Sequence, residues 1–298
     1  MTKVFAVAVS LLTTSLGAVA FTFTTIDVEA GPLSVHGTAA QGINNRGDVV
    51  GFTLDKDDNY HGYLTRKGVV TFIQAPFPGR TGEGLRSINE SGDIVGEYYL
   101  ADYTAHGFLR SHHGEWTRLV VPGATESGAM GINGPGEIVG LYSGDGWNSS
   151  HGFLFRPGHG RAPGSYLPID YPGANSTEAY GINDDGDVVG MYYFGPDWTI
   201  HGFLQHDGDF TTLDVPVPGT QGTVAHSINS RGEIDGQFWG ADGVHHGFLL
   251  SKGTYTTFDA PGLVSTWPLS FNDHGEIVGC SPDEAGVVHS FKAVRAHH

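Results

Sequence analysis

The chain has 298 residues, enough for one large core or two ordinary domains, and 39% of them are hydrophobic. Its 32 acids against 15 Lys and Arg give a formal charge of −17, a surface that repels phosphate backbones, excludes DNA or RNA as an expected partner and argues against polyanionic polysaccharides. With one cysteine, Cys280, no intramolecular disulfide can tie the fold, and 46 Gly among many Thr, Val, Tyr and Phe point to strands and tight turns.

The chain starts "MTKVFAVAVSLLTTSLGAVA": one Lys, a short apolar run, and the small-x-small end Ala18-Val19-Ala20. This pattern predicts a secretory signal peptide over residues 1–20, cleaved after Ala20. A membrane anchor fits less well, because the run is broken by Thr13, Thr14 and Ser15. The mature protein is thus expected outside the cytoplasm, extracellular or periplasmic, and free of the membrane. "FTFTTIDV", Phe21–Val28, follows as a strand.

A repeating unit then begins. Aligning on the Asn of "IN" gives Asn44, Asn89, Asn133, Asn183, Asn229 and Asn272, at spacings of 45, 44, 50, 46 and 43 residues. Each Asn opens N-x-x-G-[D/E], the chemistry of a tight hairpin: Asn caps the turn and Gly takes the left-handed conformation at its end. A returning strand such as "DVVG" follows, then a loop, then a third strand opening on "HGFL" or a variant. A fourth strand, such as "DFTTLDVP", completes the unit. Only five such fourth strands follow the repeats, and the chain ends on the third strand "HSFKAV". The N-terminal "FTFTTIDV" is therefore expected to complete the last unit and close a ring. Four strands per repeat of this length predict an all-β, six-bladed β-propeller as a single domain over 21–298.

The recurrent G-I-N-x-x-G-x-[IV]-V-G, then His-small-Phe, then T-T-[ILF]-D-x-P resembles the bacterial "probable extracellular repeat, HAF family". The resemblance spans nearly the whole mature chain. It departs at His61-Gly62-Tyr63, at His289-Ser290-Phe291, and at Phe271 in place of Ile. It implies secretion and a propeller-like fold, and it carries over no catalytic residue.

Positions that repeat read as scaffold. The motif histidines His61, His106, His151, His201, His246 and His289 lie two strands out from the axis, too far apart to share one ion, and are expected to pack blades. The acidic turn residues Asp48, Asp93, Glu137, Asp187, Glu233 and Glu276 are expected to serve the hairpins. "DKDDN", Asp55–Asn59, resembles the start of a calcium loop but has Tyr60 at the sixth place and Arg66 at the twelfth, so calcium is only weakly supported. No metal or cofactor is expected.

Positions that differ between blades read as site. The residue before the "G/S-I-N" triplet is Gln41, Arg86, Met130, Tyr180, His226 and Leu269 in turn. It is placed near the loop-fed end of the innermost strand, at a channel mouth on the face of the long loops. Gln41, Arg86, Tyr180 and His226 are expected to converge there, with Glu178, Trp267, Glu97 and Gln237 close by. Tyr98, Tyr99, Tyr142, Trp147, Tyr193, Trp198 and Trp239 would form an aromatic rim suited to sugar rings or other planar ligands. Two functions follow: a monomer binding a glycan or small molecule at that mouth, or an extracellular hydrolase or lyase using His226, Tyr180 and Arg86 on an ester, lactone or polysaccharide. Binding leads, because no nucleophile–base pair is legible.

Overall fold

The computed structural model describes residues 21–146, 149–158, 164–195 and 198–295, with the backbone of Ala8 and Val9. Trp147 and, apart from that pair, the expected signal peptide lie outside the described residues. Among the described residues no helix is long and apolar enough to cross a membrane.

Blade four illustrates the unit. Ser176–Ile182, Val188–Phe194, Thr199–His206 and Asp209–Leu213 pair antiparallel in that order. Its first turn forms as the sequence requires: Asn183 Oδ1 accepts the N–H groups of Asp185 at 3.1 Å and Asp187 at 2.9 Å. Gly186 sits at φ 85°, where a Cβ would clash with its own backbone. The other innermost strands are Gly37–Ile43, Arg80–Ile88, Glu126–Ile132, Gly222–Ile228 and Trp267–Phe271.

The last blade runs Trp267–Phe271, Glu276–Pro282 and Val288–Arg295, and takes its fourth strand from the other end of the chain. Phe21–Thr25 lies antiparallel to Val288–Arg295, with Phe21 opposite Arg295 and Thr25 opposite Phe291. The backbone of Ala8–Val9 pairs with Phe23 and Thr24 beyond it. Closure is by sheet hydrogen bonds, as expected from the missing fourth strand.

Two sets of contacts hold blade to blade. Near the axis, the turn Asn of one blade donates from Nδ2 to the Asn carbonyl of the next: Asn44 to Asn89, Asn89 to Asn133, Asn133 to Asn183, Asn183 to Asn229, and Asn272 to Asn44, at 3.0–3.5 Å. Further out, a second-strand valine packs on the Ala and Ile of the next innermost strand, as Val189 does on Ala225 and Ile228. Val95 does the same with Ala129 and Ile132, and Val139 with Ala179 and Ile182. The third-strand aromatic of each motif fills the blade itself; Phe108, Phe153, Phe203 and Phe248 are fully buried.

Candidate functional site

The residue that varies from blade to blade is a β-bulge. In blade four, Ala179 faces Gly190 and Gly181 faces Val189, so Tyr180 stands between them with no partner on the neighbouring strand. The same slip skips Gln41, Arg86, Met130, His226 and Leu269. A bulge re-aims its side chain, here toward the axis. It also explains the glycine of "VVG": a Cβ at Gly190 would lie 1.9 Å from the Glu178 carbonyl oxygen, and at Gly51, Gly96, Gly140, Gly236 and Gly279 between 2.0 and 2.1 Å from the matching carbonyl.

These side chains line a channel cavity of about 140 Å³ together with the turn residues Asn45, Glu90, Asp184, Ser230 and Asp273. The bulge sits two residues before the turn end of its strand in blade four, where Ile182 is the last strand residue. The sequence pattern places it near the loop-fed end; the cavity it lines instead runs toward the hairpin turns.

On one side of the channel Arg86 is clamped. Its Nε reaches Glu97 Oε1 at 3.0 Å, its Nη2 pairs with the same oxygen, and its Nη1 donates to Gln41 Oε1 at 2.9 Å. Tyr99 adds a hydrogen bond to Glu97 at 2.6 Å, and the guanidinium lies 5.4 Å from the Phe52 ring centre. Burial opposes the charge on Arg86, but Glu97, together with Tyr99 and Tyr60, outweighs it and holds the proton on. Burial, then Glu97, pushes the Tyr99 phenol up.

Across the channel, Tyr180 donates to Glu178. Burial raises the proton affinity of both groups, with the Tyr180 hydrogen bond partly offsetting this for Glu178. The Tyr180 and His226 rings lie 5.2 Å apart. Burial, then the nearby His245, pushes His226 down to about 4, so the imidazole is neutral at pH 7. Its Nε2 is buried without a hydrogen-bond partner among the described residues, and so is Gln237 Oε1. Met130 and Leu269 are the apolar members of the bulge ring that lines the channel.

Among the described residues the aromatic rim does not assemble as one surface. Trp239 stacks on His245 at 4.8 Å and Trp267 meets the same ring edge-on at 6.1 Å, and neither lines the channel cavity. Tyr98 is buried against Phe77 and His106, and Tyr142 packs on His151. Trp198 is 66% exposed and leans on Tyr193.

The scaffold residues find protein partners. His151, His201, His246 and His289 each meet the Asp of the T-T-x-D-x-P strand end, namely Asp170, Asp214, Asp259 and Asp27, at 2.7–3.1 Å. Blade one has Gln74 at that place, and His61 turns instead to Asp55 of the loop before it at 2.9 Å. Blade two has Val120 there, and His106 meets Arg118 at 3.2 Å. Of the turn acids, Asp48 pairs with Arg66, Asp93 with His112, Glu137 with Arg156, Asp187 with His206 and Glu276 with Lys292, while Glu233 accepts from Ser251. Asp55 also accepts the N–H groups of Asp57 and Asn59.

Sequence reasoning missed two things. One is the bulge, whose signal was the glycine facing it. The other is Asp235, which stands where the other blades have Val50, Val95, Val139, Val189 and Val278.

The arrangement of blades settles the architecture: the chain is a six-bladed β-propeller. It is similar in structure to AofleA from Arthrobotrys oligospora, with a TM-score of 0.56 at 11% identity over 90% of this chain and 89% of that one. It is similar to the fungal lectin of Aleuria aurantia, described as a six-bladed β-propeller with a novel fucose recognition mode: TM-score 0.54, 11% identity, 88% and 93% covered. The BP39L lectin from Burkholderia pseudomallei gives 0.52 at 11% identity, with 94% and 93% covered. At such identities the likeness is one of fold. No protein-family model matches the sequence, and no curated protein does.

Proposed function

We propose that the protein is a secreted binding propeller of the HAF-repeat type that takes a glycan or another small polar ligand on the bulged ring of its channel. One observation carries this reading. The same bulge recurs in every blade, yet the side chain it turns inward differs each time, while the residues around it repeat. Packing alone would favour one solution used six times. The buried Nε2 of His226, unpartnered among the described residues, supports it further, since such an atom costs stability unless something satisfies it. A neutral His226 beside Tyr180 suits hydroxyl groups better than a charged ligand.

The second reading, a hydrolase or lyase at the same place, is favoured by one feature: a carboxyl of raised proton affinity, Glu178, hydrogen-bonded to Tyr180 beside a neutral imidazole. A glycan array and a screen of esters, lactones and neutral glycans separate the two, run on the wild type, Tyr180→Phe and His226→Gln. A binding protein loses affinity by graded amounts, roughly tenfold for each hydrogen bond removed, and turns nothing over. An enzyme loses about 10²–10⁴-fold of its turnover in His226→Gln while still holding substrate. Ligand hits indifferent to both variants would move the site away from the channel.

A further inference from the structure

A separate cleft of about 550 Å³ opens between the turn ends of blades one and two. Arg46, Arg66, Lys67 and Arg110 line it, four of the 15 Lys and Arg in a chain of net charge −17. The protein gathers its scarce cations here. We infer that the cleft binds a tetrahedral oxyanion ester, a phosphate or sulfate on a compact carbon body. This does not depend on the channel.

The charges in the cleft are not cancelled. Asp48 serves both Arg46, at 3.4 Å, and Arg66, at 3.0 Å, so one carboxylate faces two guanidiniums. Arg66 uses only Nε in that contact, which leaves its outer fork to a ligand. Lys67 and Arg110 have no acid partner among the described residues; Arg110 lies 5.8 Å from the Trp116 ring centre. Two further acids stand nearby with partners of their own, Asp93 on His112, which is part of the cleft lining, and Glu90 on the Asn45 N–H.

The geometry favours a compact anion. At the back wall, a Cβ on Gly92 would lie 3.2 Å from Arg46 Nη2 and 3.4 Å from Arg66 Nη2. The two guanidinium ends therefore converge over this turn, close enough together to share one small anion. Planar forks match the oxygens of phosphate and sulfate, and an ammonium adds an adaptable point charge. Leu64 and Ile73 form an apolar part of the lining, which suits the carbon body of an ester better than a bare inorganic ion. The full set is not a by-product of the repeat: blade five has Arg231 and Lys252 at the places of Arg46 and Lys67, but Ser251 at that of Arg66, and blade six has Ala293 where blade two has Arg110. Blade four carries Asp185 where blade one has Arg46, and Asp207 where it has Lys67.

The test is calorimetric titration of the full chain at low salt with inorganic phosphate, inorganic sulfate, glucose 6-phosphate and glucose 6-sulfate. The esters are expected to bind saturably and more tightly than the inorganic ions, and to weaken as salt is raised. The tighter of the two esters names the natural class. Lys67→Glu should lower affinity at least tenfold. Lys252→Glu makes the same charge change in the equivalent turn of blade five and should leave it unchanged. Absence of saturable binding by all four probes would overturn the inference, as would equal loss in both variants.

Discussion

Where most neighbouring blades meet, a second-strand valine closes the inner joint; between blades five and six the residue is Asp235. It is 0% exposed, and its Oδ1 accepts from the Ser227 N–H at 3.0 Å and the Ser227 hydroxyl at 2.6 Å. Its Oδ2 has no partner among the described residues, and burial pushes the carboxyl up to about 7. The same joint carries an aromatic cluster at its outer side. There Phe21 of the closing strand packs 4.6 Å from Phe258 of blade five, with Phe23 and Phe291 completing the cluster. Joints of one repeat are therefore not interchangeable. The joint that sits where the chain ends meet carries a polar fault near the axis and an aromatic clasp at the rim.

Removing the clasp should have the largest effect. A chain lacking Phe21–Thr25 loses two buried phenylalanines, each worth about 3–5 kcal/mol on truncation, and leaves Val288–Arg295 as an open edge. Denaturant unfolding should show a loss of more than about 5 kcal/mol or outright aggregation. An unchanged midpoint would mean that the rim does not hold this joint.

The inner fault can be transplanted. Val189→Asp should cost about 3–5 kcal/mol, because Gly181 opposite it offers no hydroxyl. Val95→Asp should cost roughly 1–2 kcal/mol less, since Ser87 stands there as Ser227 stands opposite Asp235. Equal losses in the two variants would show that the serine plays no part in tolerating the acid.

The smallest effect is the one tuned by pH. The Asp235 carboxyl binds its proton more tightly in the folded chain, at about 7 against 3.8 for the free group. Its contribution to stability is thus full below about pH 4 and is lost as pH rises through 7, a tenfold change in proton affinity being worth about 1.4 kcal/mol. Asp235→Asn keeps the acceptor for Ser227 and removes the titration. Melting curves from pH 4 to 8 should therefore run together at the acid end and separate by one to a few kcal/mol at the alkaline end, the variant being the more stable. Parallel curves would show that the charge is not felt.

Much of this was legible in the sequence, and the reason lies in what repetition records. Asn183 and Gly186 reveal a turn because both act within a few residues of chain. The unmatched third strand at "HSFKAV" reveals closure because strands must pair. The channel was legible only as variability at Tyr180 and its counterparts. A bulge is a relation between two strands, and its trace, the Gly190 that must come within reach of the Glu178 carbonyl, looks like any other repeated glycine. The direction of the cavity and the scattering of Trp239 and Trp267 away from it depend on the packing of separate blades. The pairing of His201 with Asp214 was within reach, since both letters recur in the motif, but their contact crosses two strands.

The bulge has one more consequence. A residue that answers to no partner across the ladder can be respelled without shifting the register of anything around it. Each blade thus carries a single free letter in an otherwise fixed phrase, and the channel reads those letters as one word. Point substitution can rewrite that word one character at a time, and copying or exchanging a blade would move its character intact. A lineage of such proteins could diverge in what it recognises while its architecture stands still.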